Sequence, residues 1–178
     1  MRKYFKIILA VLFVLAVNAC RTRYDSNPVS LSEKEGTITI ISTGAGATMK
    51  RARLDAEKQA FNALFFRGFP PSSQKIPLIG YNEAAIQQQH KAYFDQLYGK
   101  RRYWSFVIHS KPIDSEAGGG LLGIGSQVVN TALSYAVTSL SDAELLGAKA
   151  KQTIMITINL RALRTDLEQN GVIRKFGY

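Results

Sequence analysis

The sequence is poor in the residues that usually carry out chemistry. It contains one cysteine, two histidines and one tryptophan. A single cysteine excludes a disulfide within the chain. His90 falls on an apolar helical stripe and His109 at a strand end. No His-Glu-x-x-His, Gly-x-Ser-x-Gly or Cys–His arrangement occurs, so no catalytic or metal-ligating residue is assigned. The acids Asp55, Glu57, Asp95, Asp166 and Glu168 read as solvated helix faces. An enzyme is not expected, and a hydrolase whose carboxylates are brought together by the fold is the remaining catalytic alternative. No apolar run reaches the roughly 20 residues needed to cross a bilayer. No charged residue stands between Gly118 and Ser141, and no solenoid repeat is visible.

The N-terminal segment does carry a signal. Arg2, Lys3 and Lys6 precede an apolar run from Ile7 to Val17 that no acid interrupts. Cations followed by a short apolar run are the order of an export signal. The run closes on Val17-Asn18-Ala19-Cys20, which resembles the lipobox of bacterial lipoproteins, with Asn18 where a small residue is more usual. The resemblance implies lipid on the Cys20 sulfur and cleavage after residue 19. No other cofactor is expected. Each buried lipid CH₂ contributes about 0.8 kcal/mol, so three acyl chains hold a protein on a membrane for long times. Cleavage would remove three cations and no acid, taking the net charge from +10 to +7. For an exported chain this basicity points to anionic lipid, glycan or protein rather than nucleic acid. No basic-aromatic interleaving of the kind that binds single strands is present.

Residues 20–36 read as the lipidated cysteine and a polar tether, which could reach about 50 Å if fully extended at roughly 3.3 Å per residue. Residues 37–178 read as one α+β domain, with a small antiparallel or mixed sheet of three or more strands packed by an alanine-rich helix. Thr37–Ser42 is rich in β-branched residues and reads as a strand broken by Gly44-Ala45-Gly46. Thr48 is placed to cap a helix that runs to Phe66 and ends at Arg67-Gly68. Ala52, Ala56, Ala60 and Ala63 share one stripe of it, which allows close approach to a sheet, while Lys50, Arg51, Arg53, Glu57 and Lys58 are expected outside. Asn82 is placed to cap a second helix, Glu83 to Tyr98, with Ile86, His90, Tyr93, Phe94 and Leu97 on its apolar stripe. Tyr103–His109 reads as a strand with Trp104, Phe106 and Ile108 on one face. Thr153–Leu160 reads as another strand, followed by a helix from about Arg161 to Gln169.

An insertion, 112–147, separates those last two strands. Its Gly118-x-Gly120-x-x-Gly123 matches a dinucleotide fingerprint as a string but lacks the preceding strand, so a hinge is the expected role. The stretch after it places Val128, Val129, Ala132, Leu133, Ala136, Val137 and Leu140 on one helical face. Ser126, Gln127, Asn130, Thr131, Ser134, Thr138 and Ser139 lie opposite. The apolar set is a candidate partner-binding face, with packing on its own domain as the equal alternative. A weaker candidate, an anion site, joins Gly44 and Gly46 to Lys50 and Arg51, where a tight turn into a helix is the simpler reading.

Three segments together resemble a known group. They are Ala52–Ala63 running into Leu64-Phe65-Phe66-Arg67-Gly68-Phe69-Pro70, then Pro77-Leu78-Ile79, then the ending Ile158-Asn159-Leu160-Arg161-Ala162-Leu163-Arg164-Thr165-Asp166-Leu167-Glu168-Gln169-Asn170-Gly171-Val172-Ile173. The chain is similar to small bacterial envelope lipoproteins, and among them to the TssQ group of the subtype-iii type VI secretion envelope complex. The likeness spans most of the mature chain apart from the glycine-rich insertion. It implies a structural subunit of a trans-envelope assembly, held in the outer membrane by lipid and facing the periplasm. The implied partners are the membrane, other proteins of that complex and further copies of the chain. No catalytic residue comes with the resemblance. Arg21, rather than an acid, after the cysteine favours the outer membrane. A periplasmic binding module for an anionic envelope polymer is the alternative suggested by charge.

Overall fold

The computed structural model describes residues 28–34, 36–70, 72, 74–113 and 150–174. Four strands form one antiparallel sheet: β1 (Val29–Lys34), β2 (Thr37–Gly46), β3 (Val107–Ile113) and β4 (Ala150–Asn159). Their spatial order is β1-β2-β4-β3, so β4 pairs with both β2 and β3. The helices are α1 (Met49–Phe66), α2 (Glu83–Gln89), α3 (Lys91–Phe94) and α4 (Leu160–Gln169). The α+β class expected from the sequence is the class observed.

One face of the sheet carries the main core. Ile38 and Ile40 of β2 and Ile154, Ile156 and Ile158 of β4 are fully buried there. They pack with Phe61, Leu64 and Phe65 of α1 and with Leu163 and Leu167 of α4. Each such side chain contributes roughly 1.5–3 kcal/mol by leaving water. Helix α1 begins where expected, with the Thr48 hydroxyl accepting from the Arg51 backbone N–H at 3.3 Å. It ends at Arg67, and Gly68 takes the left-handed conformation (φ +71) that closes a helix at small steric cost. Helix α4 is capped by the Asn159 side chain, which accepts from the Ala162 N–H at 3.0 Å.

The alanine stripe explains the sheet contact. Ala52, Ala56 and Ala60 are fully buried. Where they cross β2 stands Gly44, and a Cβ on Gly44 would lie 2.1 Å from the Ala56 nitrogen. Beside it the Ser42 hydroxyl donates to the Ala56 carbonyl at 2.8 Å. Gly44-Ala45-Gly46 therefore does not end the strand as expected. β2 runs on to Gly46, paired with Ala150, because these glycines serve helix approach rather than a turn.

Four further expectations are corrected. Residues 29–34, read as part of a tether, form an edge strand along β2 through a register shift between Ser30 and Ser32. The helix expected from Glu83 to Tyr98 breaks at His90 (φ −111, ψ 35) and ends in a π turn, Asp95–Gly99. Tyr103–Phe106 is not strand. It belongs to a 3₁₀ turn, Arg102–Phe106, that follows a left-handed Arg101 (φ 56). Period three buries Tyr103 and Phe106 and leaves Trp104 41% exposed, while Ile108, already in β3, is 46% exposed. Glu57, expected in solvent, is fully buried.

The second sheet face is built differently. Thr39 and Thr157 hydrogen-bond across β2 and β4 at 3.0 Å, as do Thr43 and Thr153 at 3.0 Å. Between these pairs Ile41 stands opposite Met155.

Candidate functional site

Two of the sequence-assigned sites, Cys20 and the face Val128, Val129, Ala132, Leu133, Ala136, Val137, Leu140, lie outside the described residues. The anion candidate lies within them. Gly44 and Gly46 are strand residues directed at α1, and the Ala45 N–H between them donates to Asp55 Oδ2 at 3.1 Å. An acid of this chain therefore uses the donor between the two glycines. Lys50 and Arg51 are exposed in the first turn of α1. Lys111, exposed near the end of β3, stands at the same end of the sheet, since Ile113 pairs with Thr153 while Gly46 pairs with Ala150.

The fold assembles two polar clusters that the sequence did not reveal. In the first, the Glu57 carboxylate, 1% exposed, accepts from Arg53 Nε at 3.3 Å, Arg101 Nη2 at 3.3 Å and the Tyr103 hydroxyl at 3.0 Å. Arg53 also donates to the Ser110 carbonyl, which ties α1 to β3. Arg101 stacks on the Trp104 ring at 5.6 Å. Burial of Tyr103 raises its pKa, with the Glu57 charge adding to the effect against the opposing Arg101. The Arg101 pKa is also raised, first by its bond to Tyr103. A carboxylate so enclosed and supplied with three donors holds elements together and is shielded from solvent reactants.

In the second, Asp166 of α4 receives both terminal nitrogens of Arg102, at 3.2 and 3.0 Å, and the Tyr93 hydroxyl at 2.8 Å. Arg102 lies over the Tyr93 ring at 5.0 Å. Tyr93 is shifted upward, first by burial and then by its bond to Asp166. This cluster locks α4 to α3 and to the 3₁₀ turn. The acids expected on solvated faces thus divide: Asp95 is exposed, whereas Glu57 and Asp166 act as internal ties. The helical spacing of Glu57 and Asp166 looks like that of surface acids. Only the tertiary positions of Arg101, Tyr103 and Arg102 distinguish them.

The remaining features are shallower. An open depression of about 180 Å³ is lined by Lys58, Asn62, Gln87 and Tyr98. Asn62 is anchored there by Glu83, at 3.3 Å, and by the Tyr98 hydroxyl. His90 is half-buried at the helix break and His109 is exposed on β3. Among the described residues no three of His, Cys, Asp and Glu converge as a metal site. No described helix is long and apolar enough to cross a membrane. The chain matches no protein-family model, no curated protein and no solved structure.

Proposed function

We propose that this chain is an outer-membrane lipoprotein acting as a structural subunit of a trans-envelope assembly, of the type VI secretion kind. The observation that carries the reading is the order of three cations, an uninterrupted apolar run and Val17-Asn18-Ala19-Cys20. Strand β1 adds a constraint. It begins at Val29, so the link from Cys20 to the domain spans at most about 30 Å at roughly 3.3 Å per residue. Such a link keeps the domain near the lipid surface, where a subunit clamped to its neighbours would work. The role is mechanical rather than catalytic: the polar clusters at Glu57 and Asp166 brace helices against the sheet.

Palmitate labelling of wild type and Cys20→Ala tests the anchor. Label is expected on the wild type alone, and equal labelling of both would remove the anchor. A pull-down from detergent-solubilised envelopes tests the assembly, with secretion-complex proteins expected among the captured partners. The second reading, a module for an anionic envelope polymer, is favoured by exposed Lys50, Arg51 and Lys111 at one end of the sheet. Salt-sensitive retention on an acidic glycan, with no protein captured, would favour it.

A further inference from the structure

We infer that the flank between α1 and β3, formed by Arg53, Arg101, Trp104 and Ile108, is a docking surface for an acidic protein segment that presents a carboxylate beside an aliphatic side chain. The chemistry of this surface stands by itself. That the segment belongs to a neighbouring subunit rests on the assembly reading above.

The two arginines supply the first observation. Arg53 Nε and Arg101 Nη2 each stand 3.3 Å from a different oxygen of Glu57, so both guanidinium groups flank one carboxylate. Two positive charges meet one negative charge, and one is left in excess. Glu57 is buried, yet the arginine side chains are 40% and 49% exposed. Arg53 uses Nη2 on Ser110, and Arg101 uses Nε on Tyr103. Nη1 of each makes no bond among the described residues. A guanidinium fork matches the geometry of a carboxylate. Both forks are held in place by buried partners, which lowers the ordering cost of binding.

An apolar half adjoins them. Trp104 lies under the Arg101 guanidinium and is exposed. Ile108 is the extra residue where β3 shifts register between Val107 and His109, so it has no partner on β4 and is exposed as well. An arginine fixed beside exposed large apolar side chains is the composition of protein-binding hot spots. The surrounding charge sets the sign of the partner. From Gly99 to Ile113 the chain holds Lys100, Arg101, Arg102, His109 and Lys111 and no acid. Arg102 is bound to Asp166, while His109 and Lys111 stand opposite Thr157 and Met155 on the other sheet face, so these three add to the field rather than to the contact. Asp55, the other acid of α1, is engaged at Ala45.

Other occupants fit less well. Pro112 lacks an N–H and the bulge interrupts the β3 edge, which disfavours an added strand. A sugar ring stacks flat on an aromatic face, and Arg101 already covers one face of Trp104. In the anchor reading the tether joins β1, at the sheet edge opposite β3, so a lipid surface meets the chain from the other side.

Trp104 is the only tryptophan of the chain, so its emission reports this flank alone. The full chain in detergent is titrated with the peptide Gly-Glu-Leu-Glu-Gly, with its Gln-Leu-Gln counterpart and with polygalacturonate. It is also reconstituted in phosphatidylcholine vesicles with and without phosphatidylglycerol. The acidic peptide should shift the emission saturably, and the amide peptide should bind about tenfold more weakly. Ile108→Ser should weaken the acidic peptide about tenfold at an unchanged urea midpoint. Arg101→Lys, which keeps a charge beside Glu57 but not the fork, should weaken it too. No shift with the acidic peptide, equal affinity for both peptides, or full affinity in Ile108→Ser would each overturn the proposal. So would a larger shift with polygalacturonate, with phosphatidylglycerol or on concentrating the chain alone, which would assign the flank to a glycan, a headgroup or a second copy. Pull-downs from envelopes with wild type and Ile108→Ser separate this surface from the assembly reading. Secretion-complex proteins captured equally by both would overturn the surface and leave that reading standing. None captured by either, with peptide binding intact, would remove that reading alone.

Discussion

Gly44 and Ala56 meet so closely that the strand and helix backbones are in contact where a side chain would stand: a Cβ on Gly44 would fall 2.1 Å from the Ala56 nitrogen and 2.3 Å from the Ala52 carbonyl. Both obstacles are backbone, so neither can swing aside. Gly44→Ala is expected to lower stability by about 3 kcal/mol or more, the upper end of overpacking costs. Ala56→Leu should cost about 1–3 kcal/mol by the same cause from the other side. Urea unfolding of both variants measures this. Wild-type midpoints would show that α1 does not press on β2.

Glu57 gives a second expectation. Glu57→Ala removes the common acceptor of Arg53, Arg101 and Tyr103 and strands a buried hydroxyl. The loss should be about 3 kcal/mol, as when one partner of a buried pair is deleted. Glu57→Gln keeps the shape and one carbonyl for Tyr103, so it should cost clearly less. An equal loss in the two variants would mean that packing, not the polar contacts, accounts for the residue.

The two buried tyrosines set an alkaline limit. Tyr93 and Tyr103 both have pKa values raised above the ordinary 10.0, first by burial. A raised tyrosine pKa means that the unfolded chain ionises first. The stability these groups contribute is complete below pH 10.0 and is lost as pH rises through the folded pKa. The urea midpoint should therefore fall above that value, and less steeply in Tyr103→Phe. A slope unchanged by this substitution would contradict the assignment.

Ile41 and Ile38 should behave alike although they lie on opposite faces. Both are almost completely buried, at 2% and 0% exposure. Truncation to Ala should cost about 2–5 kcal/mol at either position. A loss well under 1 kcal/mol at Ile41 alone would mean that its face is solvated.

Much of the frame was legible because local chemistry decided it. Thr48, Arg67-Gly68 and Asn82 act at helix ends through their own side chains or backbone, and the stripe Ala52–Ala63 faces the sheet whatever surrounds it. The failures have tertiary causes. Tyr103–Phe106 has strand-like composition, yet Tyr103 is drawn to Glu57 and the chain turns at Arg101 to bring it there. Val29–Lys34 offers only Val29 and Leu31 as alternating apolar residues, too few to mark a strand, and as an edge strand it gains order from the β2 ladder. The glycines at 44 and 46 look like a break when the helix that needs them is not in view. Of the candidate site residues, Gly44, Gly46, Lys50 and Arg51 are placed by the structure, and Asp55 takes the Ala45 donor between the glycines.

The strand order has a kinetic consequence. β4 separates β2 from β3, and Thr37 at the start of β2 pairs with Asn159 at the end of β4. Neither β2 nor β3 has its inner neighbour until the chain has been delivered through Asn159. For a polypeptide threaded across a membrane N-terminus first, the sheet stays open through most of translocation. Pairings so distant along the chain form slowly. The emerging β2 and β3 edges are then open to wrong partners, and a holding chaperone that covers strand edges would raise the yield of the native fold.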